Sequence, residues 1–172
     1  MKLHIIGIPS SGKTTLGKSL SKLLSLPHHD LDSLAFVDER WTLRPTSERD
    51  AMVARILKEP SFVTEGGFLG WTDVLLAAAD HIVWFDPPLR VLVWRHVRRH
   101  RRHPRQLPSL LRFQVLMYVR PAGDGPLKAD LNQTRAGIED ALRPWAHKVI
   151  RLTRPVTAAE VMKKLARSSS PT

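Results

Sequence analysis

The segment Gly7 to Thr14, GIPSSGKT, limits what this chain can fold into more than any other stretch. It fits the pattern G-x-x-x-x-G-K-[ST]. It stands between a short apolar run, KLHIIGI, stopped by Pro9, and a segment that repeats Leu16, Leu20, Leu23 and Leu24 at helical spacing. A strand, a glycine-bearing loop and a helix in that order make a cradle for phosphate. Glycines let the backbone wrap closely around oxygen atoms, exposed amides and the helix N-terminus supply positive potential, and the lysine adds a full charge. Gly7, Pro9, Ser10, Ser11, Gly12, Lys13, Thr14 and Thr15 are therefore the candidate nucleotide-binding residues. Lys13 is expected at the β- and γ-phosphates, with a catalytic part there; Thr14 is expected at Mg²⁺ through its hydroxyl and Thr15 at the α-phosphate. A plain Gly-Ser turn with a solvated lysine is the competing reading, and it leaves the strand-loop-helix setting unexplained.

Strands and helices alternate along the rest of the chain. LPHHDLDSLAF reads as a second, weaker strand running into a loop, and Thr46 or Ser47 caps a helix over about 48–57 with Met52, Val53, Ile56 and Leu57 inward. SFVTEGGF is a strand closed by glycines, 71–79 a helix, and HIVWFDPP a strand stopped by Asp86 and two prolines. A helix is expected from Leu89 to about Arg102, with Val91, Leu92 and Trp94 toward the core. Signals conflict over 104–126, where SLLRFQVLMYV is apolar and RPAGDGP is a loop. A helix over about 128–147, bent or broken at Pro144, the strand KVIRL and a helix over 157–167 complete the chain. This alternation predicts a three-layer α/β/α fold with a five-stranded parallel sheet covered on both faces. One domain over 1–167 is expected, with a helical lid within about 90–126 and a frayed tail at 168–172. In such sheets ligands bind beyond the carboxyl ends of the strands. Ser10 to Lys13, Asp30, Asp32, Glu65 to Gly67, Asp86 and Thr153 are expected to meet on that rim.

Composition narrows the function classes. The 172 residues carry 27 Lys plus Arg against 16 Asp plus Glu, a formal charge of +11 that favours anionic ligands. Much of it is gathered in one stretch, RVLVWRHVRRHRRHPR, Arg90 to Arg105, and a local cluster points to a site. Cysteine is absent, which excludes disulfides, thiolate metal sites and a cysteine nucleophile. No apolar run approaches the ~18 residues of a membrane-spanning helix, so no membrane partner and a cytoplasmic address are expected.

At this point the motifs resemble a known family. The phosphate loop, HHDLDSLAF, FVTEGGF, HIVWFDPP and WRHVRR come in the order and approximate spacing of the adenylate-kinase and shikimate-kinase-like branch of phosphate-loop proteins. Within that branch the chain looks most like small bacterial proteins often labelled topology modulation proteins or uncharacterised nucleotide kinases. The resemblance spans about residues 2–165 and implies an ATP- and Mg²⁺-dependent kinase with a helical lid.

It also assigns roles. Asp30 and Asp32 fit the D-x-D pattern after the second strand of shikimate-type kinases, and two strand residues at that spacing face one side. Asp30 is then the metal-side carboxylate, and Asp32 the catalytic one that accepts or orients the acceptor's proton. A solvated loop with a helix cap is the competing reading. His28 and His29 read as spacers, since no partner completes a metal set. TEGG sits where relatives carry an acceptor loop, so Glu65, Gly66 and Gly67 join Asp32 as acceptor-binding candidates; a turn needing positive φ would explain the glycines equally well. Asp86 has a metal-side position that also suits a strand terminator.

Arg95 and Arg99 follow Asp86 by nine and thirteen residues, as two lid arginines do in adenylate kinases. The resemblance puts Arg95 near the base and Arg99 at the transferring phosphate, both as catalytic candidates, with Arg98, Arg101 and Arg102 as further ones. LTRPVTAAEV resembles the base-binding loop, which adds Arg154 to the nucleotide-binding set. The acceptor stays open. Arg44, Arg49 and Arg55 offer themselves without a recognisable motif, and no clear carboxylate clamp is present.

Three function classes follow. The first is transfer of the γ-phosphoryl group of ATP to a small molecule, with nucleotides among the candidates; no guanine-reading N-K-x-D motif occurs. The second is a regulator that hydrolyses ATP. The third is nucleic-acid binding, or phosphorylation of a polynucleotide 5′-hydroxyl. Charge and five tryptophans admit this third class, but Trp84 and Trp94 lie in apolar runs that read as core.

Overall fold

The computed structural model describes residues 1–38, 41–101, 105–122 and 134–168. Strands form at four short runs rich in apolar residues, β1 (Lys2–Ile6), β3 (Phe62–Gly66), β4 (His81–Phe85) and β5 (Val149–Leu152), and at the polar, half-buried β2 (His28–Asp30). They make one parallel sheet in the order β2-β3-β1-β4-β5. Helices α1 (Lys13–Leu24), α2 (Leu31–Ala35), α3 (Thr46–Leu57), α4 (Asp73–Ala78), α5 (Leu89–His100), α6 (Leu107–Val119), α7 (Arg135–Leu142) and α8 (Ala158–Ser168) cover it, with a 3₁₀ helix at Arg143–Lys148.

Side-chain alternation along the strands builds a core on each face. Leu3 and Ile5 of β1 and Val83 and Phe85 of β4 pack with Leu16 and Leu20 of α1 and Val161 and Leu165 of α8. The neighbouring residues Ile6, Ile82 and Trp84 face the other way, against Leu76, Leu92, Ile138 and Leu142. A third cluster joins α2, α3 and α4 through Leu31, Val53, Ile56, Phe62, Phe68 and Leu75. The expected three-layer α/β/α fold is the one observed. Because β1 lies centrally, the loop leaving it opens at the middle of the carboxyl rim, where the order of strands reverses direction.

Several local expectations are corrected. The strand after His28 ends at Asp30, and Leu31 to Ala35 turn into α2, so Asp30 and Asp32 do not share a strand face. Helix α3 starts at Thr46 behind Pro45, without a side-chain cap. The apolar run in 104–126 is α6, with Pro108 in its first turn, where its missing N–H is harmless. Helix α7 begins at Arg135, capped by Thr134 Oγ1 on Gly137 N at 3.0 Å, and Pro144 stands in the 3₁₀ helix that follows. The expected start of that helix at 128, Arg102 and the tail beyond 168 lie outside the described residues. Leu23 is 54% exposed, and Trp94, expected in the core, is 60% exposed. No helix among the described residues is long and apolar enough to cross a membrane.

Candidate functional site

The loop after β1 is held open by its own backbone. Ser10 adopts φ 61° and Gly12 φ 107°, the left-handed region in which a Cβ is strained. A Cβ on Gly12 would also come within 3.1 Å of Arg95 Nη1. Gly7 N donates to Gly66 O at 3.3 Å, which ties the loop to β3. Helix α1 then begins at Lys13 with no side-chain cap and no acidic residue in its first turn, so its first amides are left for another acceptor. Lys13 is buried, and Ser11 Oγ is buried without a hydrogen-bond partner.

Three carboxylates border this loop. Asp30 Oδ1 accepts from Asp32 N at 2.9 Å, so one oxygen of Asp30 caps α2. Asp32 is half-buried in the first turn of α2. Burial raises its pKa above the usual carboxylate value and Asp30 adds to the rise, while Lys13 and Arg99 draw it down. Glu65 lies opposite Asp30 in the β2–β3 register and is fully buried. Neither of its oxygens has a well-formed hydrogen bond, and its pKa is pushed up to about 7. Burial is the main cause, opposed first by Lys13 and, less, by the nearby Thr14 side chain.

The side of Gly66 on which a Cβ would stand is filled by Leu31. A Cβ there would strike Leu31 Cβ at 2.8 Å, so its bareness lets α2 pack against β3. Neither Gly66 nor Gly67 has positive φ, and Gly67 is buried beyond the strand end.

These donors suit a hard divalent cation. Thr14, Asp30 and Glu65 carry oxygen donors and the two Glu65 oxygens have no well-formed hydrogen bond, while among the described residues no group of three or more His, Cys, Asp or Glu side chains stands ready to hold a metal ion alone. Magnesium is commonly held by one or two carboxylates, waters and phosphates, so no closed protein cage is required.

Helix α5 supplies the cationic side. Arg95 Nη1 donates to Ser11 O, and the guanidinium lines an open cleft of about 430 Å³ together with Gly12, Thr15, Phe85 and the segment Pro155 to Ala158. Arg99 is exposed, and its charge reaches Asp32. Arg154 is exposed and outside the lining of that cleft, which its successors Pro155 to Ala158 form instead.

One participant, His96, escaped the sequence pattern, and Arg49, named there as an acceptor candidate without a motif, is buried on α3. His96 is buried on α5, with Nδ1 3.0 Å from Ser10 Oγ, so it joins the helix to the loop. Burial, then His100 and Arg99, hold its pKa below the ordinary histidine value. No motif announces that contact. Arg49 is 1% exposed, its guanidinium 5.0 Å from the Trp71 ring. Its phase with Val53 and Ile56 on α3 was the available signal.

Asp86 is committed elsewhere. Arg135 Nε and Nη2 donate to its two oxygens at 2.7 and 2.9 Å, and Arg151 Nε and Nη2 donate to Oδ2 at 3.0 and 2.5 Å. Both guanidiniums also lie over the Trp84 ring. This group braces β4, β5 and α7.

No family model matches the chain. Over 97 residues it is 31% identical to the uncharacterised protein YqaC of Bacillus subtilis, a match that covers 55% of this chain and 54% of that protein. A shorter match, 53% identical over 34 residues, is to the shikimate kinase of Chlamydia pneumoniae and covers 20% of this chain and 19% of that enzyme. The chain thus aligns with about half of the length of one curated relative and a fifth of the other. Among solved structures, the fold is similar to the shikimate kinase of Acinetobacter baumannii in complex with shikimate (TM-score 0.57, 17% identity, 96% of this chain and 90% of that one). It is also similar to a gluconokinase from Sinorhizobium meliloti (TM-score 0.56, 17% identity, 97% and 90%) and to the shikimate kinase of Aquifex aeolicus (TM-score 0.51, 19% identity, 98% and 95%). The fold is that of phosphate-loop kinases.

Proposed function

We propose that this protein is an ATP-dependent phosphotransferase that moves the γ-phosphoryl group to a hydroxyl of a small acceptor. The observation that carries this reading is the meeting of Lys13, the uncapped start of α1 and the carboxylates Asp32 and Glu65 at the carboxyl ends of β1, β2 and β3. In this reading Gly7 to Thr15 cradle the triphosphate, and the cleft beside Arg95 takes the base. Thr14, with Asp30 or Glu65, would hold Mg²⁺, which when bound would neutralise phosphate charge.

The chain's own groups do the rest. Lys13 and Arg99 offset charge on the transferring group, and Arg95 fixes the loop against α5. Asp32, whose pKa is raised, takes up or orients the acceptor hydroxyl's proton as oxygen attacks phosphorus and the bond to the ADP leaving group breaks. Residues about 90–126 act as a lid within a single domain, and water is shut out when it closes. Kinship with the topology modulation proteins is part of this reading and rests on the sequence motifs alone.

Incubation with [γ-³²P]ATP, Mg²⁺ and a pool of hydroxylated metabolites tests the proposal. Label should move to an organic acceptor. Release of phosphate to water alone, across the whole pool, would mark a hydrolase instead.

A further inference from the structure

We propose that the outer face of α5 is a docking surface for single-stranded nucleic acid, separate from the nucleotide cleft. Its starting point is Trp94, which stands 60% exposed although it lies in an apolar run. Helical geometry gathers Arg90, Trp94, Val97, Arg98 and Arg101 within about 100° of arc, along roughly 16 Å of helix. Arg90, Arg98 and Arg101 are all exposed, and Val97 is 36% exposed. Leu92 and His96, on the opposite side, are the buried residues of the helix, and Arg95 turns toward the phosphate loop. None of the five residues of the outer stripe lines the cleft beside Arg95, although Arg98 and Arg101 are also lid candidates in the sequence.

Its chemistry is specific. Between Asp86 and Asp124 the sequence has nine arginines and neither aspartate nor glutamate. Among the described residues no carboxylate pairs with Arg90, Arg98 or Arg101, whereas Arg44, Arg135, Arg143 and Arg151 all find one. The Arg98 guanidinium lies over the Trp94 ring, 5.4 Å from its centroid, so a cation is held against the exposed indole. Bases stack on such a ring while arginines track the phosphates.

Two blander accounts fall short. Interaction with the helix C-terminus explains Arg98 and Arg99 but not Arg90 or an exposed indole. An anionic membrane would need a broad apolar face to enter the acyl boundary, and this stripe has only Trp94 and Val97. The inference stands independently of the phosphotransfer reading.

The test is fluorescence anisotropy of the full chain with fluorescein-labelled single-stranded RNA and DNA of mixed sequence, at low and moderate salt. Binding should weaken by roughly tenfold or more as salt rises fourfold. Trp94→Ala should weaken it roughly tenfold, Trp94→Phe much less. Arg90→Ala with Arg98→Ala should lower the log–log salt slope by about one to two. Saturating magnesium ATP should leave binding in place. The proposal is overturned if no strand binds at low salt, if these variants bind as the parent does, if ATP displaces the strand, or if phosphatidylserine vesicles bind and nucleic acid does not.

Discussion

The imidazole of His96 and the hydroxyl of Ser10 are 3.0 Å apart, and this contact fastens the arginine-bearing helix to the tip of the phosphate loop. Ser10 pays for its position with φ 61°, so the partner that holds it there shapes the cradle. A buried hydrogen bond of this kind is worth about 1 kcal/mol. His96→Ala should therefore weaken magnesium-nucleotide binding several-fold and lower the melting temperature slightly, both read by calorimetry. Unchanged affinity would show that the loop holds its shape without α5.

Glu65 and His4 respond to acid in opposite senses. Glu65, raised from 4.5 to about 7, binds more protons folded than unfolded between those values, so its contribution to stability falls as pH rises through that window. His4, buried and bonded to Thr64, is lowered from 6.5 to about 4, so its contribution is present above 6.5 and is lost as pH falls toward 4. The two offset each other in the parent protein. Glu65→Gln removes one side. Denaturant titrations should show the variant gaining on the parent as pH rises from 4.5 to 7, by up to about 3 kcal/mol, with no further gain above 7. A pH-independent difference would contradict the buried, titrating Glu65.

Asp86 braces the sheet, and its loss should be felt in stability. Asp86→Asn removes the close counter-charge of Arg135 and Arg151 and leaves them the more distant Glu139, 3.7 Å from each. A cost of roughly 2–3 kcal/mol is expected, below the range for fully buried pairs because Arg135 and Arg151 stay partly in water. Chemical denaturation measures this, and turnover of the folded variant should change much less than tenfold. A stable but inactive variant would assign Asp86 to the chemistry.

Asp32→Asn keeps shape and hydrogen bonding while removing a proton acceptor. Turnover should fall by at least about 100-fold, with the dissociation constant of magnesium ATP within a few-fold of the parent's. Equal losses in both would remove its role on the acceptor side.

The sheet was legible because β1, β3 and β4 are compact apolar-rich runs ended by Gly or Asp, and the helices between them bury one phase; the polar three-residue β2 gave the weakest signal. Glu65 and Lys13 could be placed at strand ends on the same reasoning. Asp32 was expected on the same rim but on a strand face; the three-residue β2 instead gives way to a helix that Asp30 caps through its own side chain, and a D-x-D spacing looks alike in either setting. Trp94 misled for a different reason: apolar neighbours signal burial on average, and only the packing of α5 on Leu92 and His96 decides which residue is left outside. His96 and Ser10 are 86 residues apart, so their contact depends on tertiary structure alone.

Isothermal titration of the protein with magnesium ATP, beside the Lys13→Ala variant, tests the central claim most directly. Saturable one-site binding in the parent, weakened at least about tenfold by the substitution while the circular dichroism spectrum is unchanged, is the expected result. Absence of heat with any magnesium nucleotide at millimolar concentration, or equal binding by the two proteins, would contradict the assignment of this loop as a phosphate cradle.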